Sequence, residues 1–247
     1  MTKQIRNALI TVAVGVILYF LPVPQGLTPQ AWHLFALTVA VILGFVLEPL
    51  PLGAVAFIGI SVIALTGTLK VGDGLGGFSS GAMWLIVSAF MFARAFMKTG
   101  LGRRIAYFVL SKIGTSTLKV GYAIAISDLI LSPATPSSMA RAGGILFPIT
   151  RSICSALGSE PDASPRRAGA YLMQIVYQTE GIVCALFMTA MAGNPMIAEL
   201  AAKTAGVEIS WGMWFLAALA PGAVATILMH WLLYLIYPPE LKKPPEA

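Results

Sequence analysis

The stretch DLILSPATPSSMARAGGILFP, residues Asp128–Pro148, decides how this chain folds. It places an aspartate, an arginine, three prolines and a run of hydroxyl side chains inside an otherwise apolar region. Lipid offers no hydrogen bonds to the backbone groups that helix breakers free, so such a segment needs partners from the protein or from a bound solute. Transporters use interruptions of this kind to point half-helix ends at a solute or an ion. We therefore expect half of a solute-binding site here.

Composition places the chain in a lipid bilayer. Of its 247 residues, 57% are hydrophobic and 11% are charged, and the mean hydropathy is +0.84. A soluble domain is about one quarter charged, so this chain could not cover a surface that faces water. Its length allows about six or seven spans of roughly 20 residues. The net charge of +6 does not indicate nucleic-acid binding, because the basic residues lie in loops rather than in one patch.

Eight apolar or mixed segments follow one another: Ala8–Leu21, Trp32–Leu47, Leu52–Leu69, Ala82–Met97, Leu101–Ile113, Val120–Ile153, Ala168–Leu200 and Trp211–Tyr237. The fifth alternates apolar and basic residues, which favours a helix in the membrane interface. The first is predicted to be a retained span, because no clear small-residue cleavage site follows it. Loops rich in lysine and arginine stay cytoplasmic. Their distribution predicts a cytoplasmic amino terminus, provided that the sixth segment enters and leaves on one side.

The sixth segment, Val120–Ile153, is predicted to form a re-entrant helical hairpin. Its first arm, Val120–Leu131, has about 12 residues and would be ~18 Å long as a helix, too short to cross a core of ~30 Å. The prolines of Ser132–Pro136 then break this helix. Pro136 suits the first position of a second helix, with Thr135 as its cap. The turn is expected near the middle of the membrane.

Ser137 and Ser138 are the predicted ligand-binding residues of this turn. The free N–H groups and positive dipole end of a helix start favour an anion. The two hydroxyls can donate to a carboxylate or bind a small cation, so the pattern predicts contact with a dicarboxylate or with sodium. The alternative is that the serines bond to nearby carbonyls or pack against a neighbouring helix.

Asp128, Arg141 and Glu180 are charged residues within the two interrupted apolar segments. Asp128 and Arg141 stand on opposite arms of the hairpin and are predicted to form a structural ion pair, because charges inside a membrane are usually paired. Direct contact of Arg141 with the substrate is the alternative. Glu180 fits three roles: a proton-linked carboxylate, a partner of Arg141, or part of a wall that faces water.

The segment Ala168–Leu200 is too long for one untilted span, and Gly193-Asn194-Pro195 is a turn signal within it. A broken helix here would bring Thr189 and Asn194 to the depth of the hairpin turn as substrate-binding residues. The alternative is an ordinary helix end at the outer surface, with Asn-Pro as a turn.

The chain resembles the amino-terminal half of the divalent anion:sodium symporter family, which includes the solute carrier 13 proteins. The nearest branch is that of the bacterial citrate:succinate and 2-oxoglutarate/malate translocators. The matching motifs are EPLPLGA (48–54), KTGLGRRIA (98–106), DLILSPATPSSMARAGGILFPI (128–149), FMTAMAGNP (187–195) and ISWGMWFLA (209–217). The resemblance implies an all-α, dimeric, inverted-repeat membrane transporter with an elevator-type motion. It also implies a Ser-Asn-Thr hairpin motif beside sodium sites. Here Ser137, Ser138 and Met139 stand at those three positions, which weakens the expectation of sodium coupling and suits exchange without sodium.

On this basis residues 1–115 are expected to hold scaffold-type spans and the interfacial helix. Residues 116–237 would form the transport-type region, and residues 238–247 a cytoplasmic tail or a linker to a missing second half. One hairpin motif occurs, so we expect half of a split or truncated transporter that needs a complementary half or, less readily, a homodimer.

The expected function is exchange or cation-coupled symport of di- and tricarboxylates such as succinate, malate, 2-oxoglutarate or citrate, in a bacterial inner membrane. The alternative is an inactive or truncated membrane scaffold. An enzyme is not expected, because the sequence has no Ser/His pair and no metal-spaced His/Glu set. Sodium is the one cofactor considered, with Ser137 and Ser138 as its candidate ligands.

Overall fold

The computed structural model describes residues 2–243, and its regular elements are helices. In chain order they are α1 (Lys3–Phe20), α2 (Pro29–Leu47), α3 (Leu52–Leu65), α4 (Val71–Gly74), α5 (Gly81–Thr99), α6 (Leu101–Ile113), α7 (Thr117–Leu131), α8 (Ser138–Arg141), α9 (Phe147–Ala156), α10 (Gly169–Leu186), α11 (Gly193–Ala205) and α12 (Trp211–Ile236). Short 3-10 turns cover Gly76–Ser79, Ser132–Ala134 and Met188–Ala190, and a π turn covers Ala142–Leu146. No strand occurs between residues 2 and 243. The prediction of an all-α protein is confirmed.

Four helices of the described part are long and apolar enough to cross a membrane: α1, α2, α5 and α12, with 18 to 26 residues each. At 1.5 Å per residue they are ~27–39 Å long, against a hydrocarbon core of ~30 Å. The helix α3 is apolar but has 14 residues. Large apolar side chains such as Phe57 and Leu65 are 73% and 87% exposed, which suits a surface that faces lipid. The chain is an integral membrane protein.

Contacts divide the chain after Ser80 into two compact units. In the first unit α1 packs on α2, and α2 packs on α3. A Cβ atom at Gly15 would lie 2.8 Å from Ala40 Cβ, and one at Gly59 would lie 2.3 Å from Val41 Cγ2. Such distances are shorter than a carbon–carbon contact, so these helices approach closely because glycine lacks a side chain.

The second unit begins at Gly81 and packs α7, α10 and α12 against one another. Its largest cluster of buried apolar side chains draws on α7, the π turn, α9, α10 and the loop between α9 and α10. The members are Val120, Ile124, Leu146, Cys154, Leu157, Ala168, Tyr171, Leu172, Ile175 and Val176. The helices α7 and α9, which flank the predicted hairpin turn, therefore share one core.

The residues after α12 connect the start of α7 with the loop that precedes α10. The N–H group of Leu241 donates to the carbonyl of Arg167 at 2.8 Å, and the N–H group of Thr117 donates to the carbonyl of Lys242 at 3.1 Å. The beginning of α7 and the loop after α9 thus lie at the same end of this unit. Of the predicted tail or linker, residues 244–247 lie outside the described residues.

Candidate functional site

The predicted hairpin turn contains a 3-10 turn, a short extended segment and a second helix. The helix α7 ends at Leu131, the 3-10 turn covers Ser132–Ala134, and α8 begins at Ser138. From Ser138 the chain stays helical through the π turn to Ala156. A π turn inside a helix is rare and often marks a functional site. Here the π turn directly follows α8, the first helical turn after the break.

Ser137 caps this second helix. Its backbone is extended, and its Oγ accepts the N–H group of Ala140 at 3.3 Å. The predicted cap, Thr135, is wrong: its side chain is fully buried, and its hydroxyl oxygen has no hydrogen-bond partner in the protein. A cap stands directly before the first helical residue. Because the helix begins two residues later than predicted, Ser137 takes that place and Pro136 precedes the helix instead of opening it.

Both predicted ligand-binding serines are partly exposed. Ser137 Oγ already accepts a hydrogen bond, so its O–H hydrogen remains free to donate, which suits a carboxylate. Ser138 opens the helix, where backbone N–H groups lack intrahelical acceptors. Met139, at the position of the expected threonine, is 85% exposed. Its thioether has no O–H or N–H group and is only a weak acceptor.

Arg141 lies at the centre of the candidate site. Its side chain is fully buried. Nε donates to Asp128 Oδ1 at 2.9 Å, and Nη2 donates to Glu180 Oε1 at 3.3 Å. Nη1 donates to the carbonyls of Thr135 at 2.5 Å and Ala190 at 2.7 Å. One guanidinium group thus connects α7, the hairpin turn, α10 and the residues after α10.

The structure therefore brings Asp128 and Arg141 together, as the sequence predicted. Of the three roles left open for Glu180, the contact with Arg141 is present. Four of the five N–H groups of Arg141 are engaged by protein oxygens, which leaves little capacity for direct contact with a substrate. That the pair holds the arms of the hairpin in place stays a prediction.

The long segment after residue 168 is interrupted between Leu186 and Gly193. The predicted position of this break, Gly193-Asn194-Pro195, is wrong, because these residues form the first turn of α11. Proline is tolerated there, where a helix has no acceptor for its N–H group. The break falls just before it and contains the 3-10 turn Met188–Ala190.

The two predicted binding residues of this break have protein partners. Asn194 is buried, and its Nδ2 donates to the carbonyls of Cys184 at 2.8 Å and Phe187 at 3.0 Å. The end of α10 leaves such carbonyls without helical partners. Thr189 Oγ1 accepts the indole N–H of Trp211 at 3.3 Å and keeps its own hydrogen for donation. The geometry suits Thr189 as a ligand donor and gives Asn194 a capping role.

Three groups at the site were missed by sequence reasoning: the carbonyls of Thr135 and Ala190, and the indole of Trp211. Every residue has a carbonyl, so no residue type marks the first two. Trp211 stands near the end of a predicted span, where a tryptophan usually anchors a helix in the membrane interface. Antiparallel packing of α10 and α12 places it beside Thr189, but no local pattern indicates which two helices pair.

The chain matches one protein family and several curated proteins in sequence. The model of the family described as the sodium:sulfate symporter transmembrane region matches residues 2–247. The putative malate transporter YflS of Bacillus subtilis (strain 168) is 52% identical over 240 residues, 97% of this chain and 50% of that protein. The chloroplastic dicarboxylate transporter 1 of Arabidopsis thaliana is 46% identical, with coverage of 98% and 44%. The citrate/succinate antiporter of Escherichia coli (strain K12) is 39% identical, with coverage of 94% and 51%.

The chain spans about half the length of the curated relatives it matches. Within that half the match is nearly complete, since the family model covers all but the first residue. Because the family model matches residues 2–247, the chain belongs to the sodium:sulfate symporter family.

Proposed function

We propose that this chain forms one half of a secondary transporter for di- and tricarboxylates such as succinate, malate, 2-oxoglutarate or citrate. The observation that carries the proposal is the meeting of two helix interruptions at Arg141, the turn before α8 and the break after α10. Interrupted helices in a membrane expose backbone groups that can bind a solute. Relatives at 39% to 52% identity are named for malate, dicarboxylates or citrate and succinate, which supports the substrate class.

In this proposal the substrate carboxylate binds at the hairpin turn. Ser137 and Ser138 are partly exposed there and open a helix, and a helix start favours an anion. Thr189 offers a further hydroxyl from the break. Asn194 contributes by holding the carbonyls at the end of α10, which fixes the backbone next to the substrate.

The segment from α7 to α9 is proposed to be a re-entrant hairpin that enters and leaves on the cytoplasmic side. Two observations support this topology. The start of α7 and the loop before α10 contact the same residues after α12, and α7, with 15 residues, is ~23 Å long and shorter than a membrane core. With this topology the loops rich in lysine and arginine lie inside, and the amino terminus is cytoplasmic.

Exchange of one anion for another is the proposed mode of transport. The departures at Ser138 and Met139 remove the asparagine amide and the threonine hydroxyl that the family resemblance leads one to expect. Hard cations prefer oxygen ligands, and the Met139 thioether supplies none. Symport coupled to sodium at Ser137 and Ser138 is the alternative mode.

The proposed assembly contains a second half with an inverted repeat of this fold, in a dimer that works by an elevator-type motion. Residues 116–237 would form the moving transport-type region, and residues 1–115 the scaffold. The half-length match to the relatives supports a missing second half. A homodimer that supplies both repeats is less favoured, because inverted repeats need opposite topologies and the basic loops favour one.

Transport into proteoliposomes tests the proposal. Uptake of radiolabelled succinate, malate, 2-oxoglutarate and citrate should be measured with this chain alone and together with a second half. We expect counterflow that does not need sodium, and a large reduction by Ser137→Ala. A matched control is Ser111→Ala, which removes an exposed hydroxyl on α6. Uptake that requires sodium would favour symport. No uptake in either combination would favour the inactive membrane scaffold.

A further inference from the structure

We propose that Asp128, Arg141 and Glu180 together bind one proton, which the two carboxylates share. This inference deepens the proposed function, because it names an ion that the site takes up. The binding of the proton can be measured without transport, so the two proposals can fail independently.

The first argument is the position of the two carboxylates on the guanidinium group. Nε and Nη2 of an arginine lie along one edge of the planar group, an edge that a single carboxylate can occupy with both oxygens. Here two carboxylates share it, with Asp128 Oδ1 2.9 Å from Nε and Glu180 Oε1 3.3 Å from Nη2. Both carboxylates therefore lie against the same guanidinium group, where like charges repel each other. Repulsion between neighbouring carboxylates favours one proton bound by the pair.

The second argument is the charge of the cluster. Two ionised carboxylates against one guanidinium leave one uncompensated negative charge. The side chains of Asp128 and Arg141 are fully buried, and that of Glu180 is 18% exposed. An unpaired charge held away from water is costly. One proton makes the cluster neutral without requiring room for a metal ion.

The third argument is the set of oxygen atoms that have no partner. Asp128 Oδ2, Glu180 Oε2 and Thr135 Oγ1 are buried and make no hydrogen bond to the protein. Buried polar atoms are normally paired. The Thr135 hydroxyl has one O–H donor and an ionised carboxylate only accepts, so a proton on one carboxyl group adds a second donor to this set. Glu180 is the partly exposed member, so we assign it as the point of exchange with water.

Several other titratable groups on the helices packed around this cluster have partners elsewhere, whereas the Tyr171 hydroxyl on α10, nine residues before Glu180, is buried without one. Cys184, one turn further along α10, donates to a carbonyl of its own helix. On α12, both ring nitrogens of His230 are hydrogen-bonded. On α7, the hydroxyl of Tyr122 donates to a carbonyl of α12. On α9, Arg151 pairs with Glu160 in the loop that follows. The charge balance is therefore set by Asp128, Arg141 and Glu180.

Infrared difference spectroscopy on the purified protein tests the proposal through the C=O stretch of a protonated carboxyl group. We expect one hydrogen-exchangeable carboxyl band in the wild type that persists above about pH 5, where ordinary exposed carboxyls have lost their proton. Glu180→Gln and Asp128→Asn should each abolish it, because either change leaves one carboxylate for one arginine. Glu208→Gln, in an exposed loop, should retain it.

Two results would overturn the proposal: a wild-type protein without such a band above that pH, or a Glu180→Gln variant that keeps the band. Circular dichroism should establish that each variant remains helical. If a variant does not fold, the wild-type titration still decides the question. A protein that shows the band but no uptake in proteoliposomes would refute the transport proposal and leave the proton site standing.

Discussion

The two helix interruptions of the second unit satisfy their backbone groups in different ways. At the turn before α8, the partner is charged, because Arg141 donates to the carbonyl of Thr135. At the break after α10, most partners are neutral: Asn194 Nδ2 donates to two carbonyls, and Trp214 Nε1 donates to a carbonyl of α10 at 2.9 Å.

This difference has consequences for stability and for function. A buried guanidinium needs counter-charges, which Asp128 of α7 and Glu180 of α10 provide. A buried amide or indole needs only acceptors, which the interrupted helix itself supplies. We therefore expect the turn to be sensitive to changes of charge, and the break, where Arg141 bonds one carbonyl, to be sensitive mainly to loss of hydrogen bonds.

The largest effect is expected from Arg141→Met. Removing one partner of a buried ion pair leaves the other charge uncompensated, which typically lowers the free energy of unfolding by about 3–5 kcal/mol. Denaturation in detergent should show this loss. The double variant Asp128→Asn/Arg141→Met should recover part of it. If Arg141→Met alone were as stable as the wild type, the claim that the buried guanidinium group stabilises the fold would be wrong.

A smaller effect is expected from Asn194→Ala. The change removes the side-chain donor of the Cys184 carbonyl and leaves the Phe187 carbonyl with the N–H group of Ala190 alone, which costs about 1–3 kcal/mol for a buried group. Its control, Gln178→Ala on an exposed position of α10, should change the free energy of unfolding by less than about 0.5 kcal/mol. A loss at Asn194 equal to that at Arg141 would remove the contrast between the two interruptions.

Next in size is Ser137→Ala, measured by thermal melting in detergent. Loss of a helix cap usually lowers stability by about 1 kcal/mol, because the N–H group of Ala140 loses its acceptor. The control is Thr135→Val, which removes a buried hydroxyl that has no protein partner. Greater sensitivity at Thr135 than at Ser137 would show that the assignment of the cap is wrong.

The smallest effect is expected from Glu160→Gln, which compares an exposed ion pair with the buried one. The hydrogen bond from Arg151 lowers the pKa of Glu160. Its stabilising contribution is therefore present above the pKa of the unfolded chain and is lost as the pH falls through the lower pKa of the folded chain. The melting temperature of the wild type should approach that of the variant in acid. A variant that matches the wild type at neutral pH would mean that the pair adds no stability.

The sequence predicted best those features that depend on residue type. The ion pair between Asp128 and Arg141 could be predicted because charged residues within an apolar segment are usually paired. The helix α6 has the predicted bounds, since it lies between two glycines, Gly100 and Gly114. The turn itself could be placed because two prolines stand close together between apolar arms.

Features that depend on exact register or on tertiary contacts could not be predicted. Thr135 and Ser137 are both suitable caps, and only the start of the helix decides between them. Pro195 signals either a break or a helix start, since proline is allowed in a first turn. The role of Glu180 depends on how α10 is rotated towards the hairpin turn, which no local pattern specifies.

The π turn at Ala142–Leu146 has a further consequence for the register of the second arm. An inserted residue in a helix rotates everything before it by about 100° relative to everything after it. Arg141 can thus point towards Asp128 while Leu146 and Ile149 remain in the core. Deleting Gly143 or Gly144 would restore a regular winding and turn the guanidinium group away from both acids. The rotation of α8 about its axis, which the π turn sets, therefore keeps Arg141 in contact with Asp128 and Glu180.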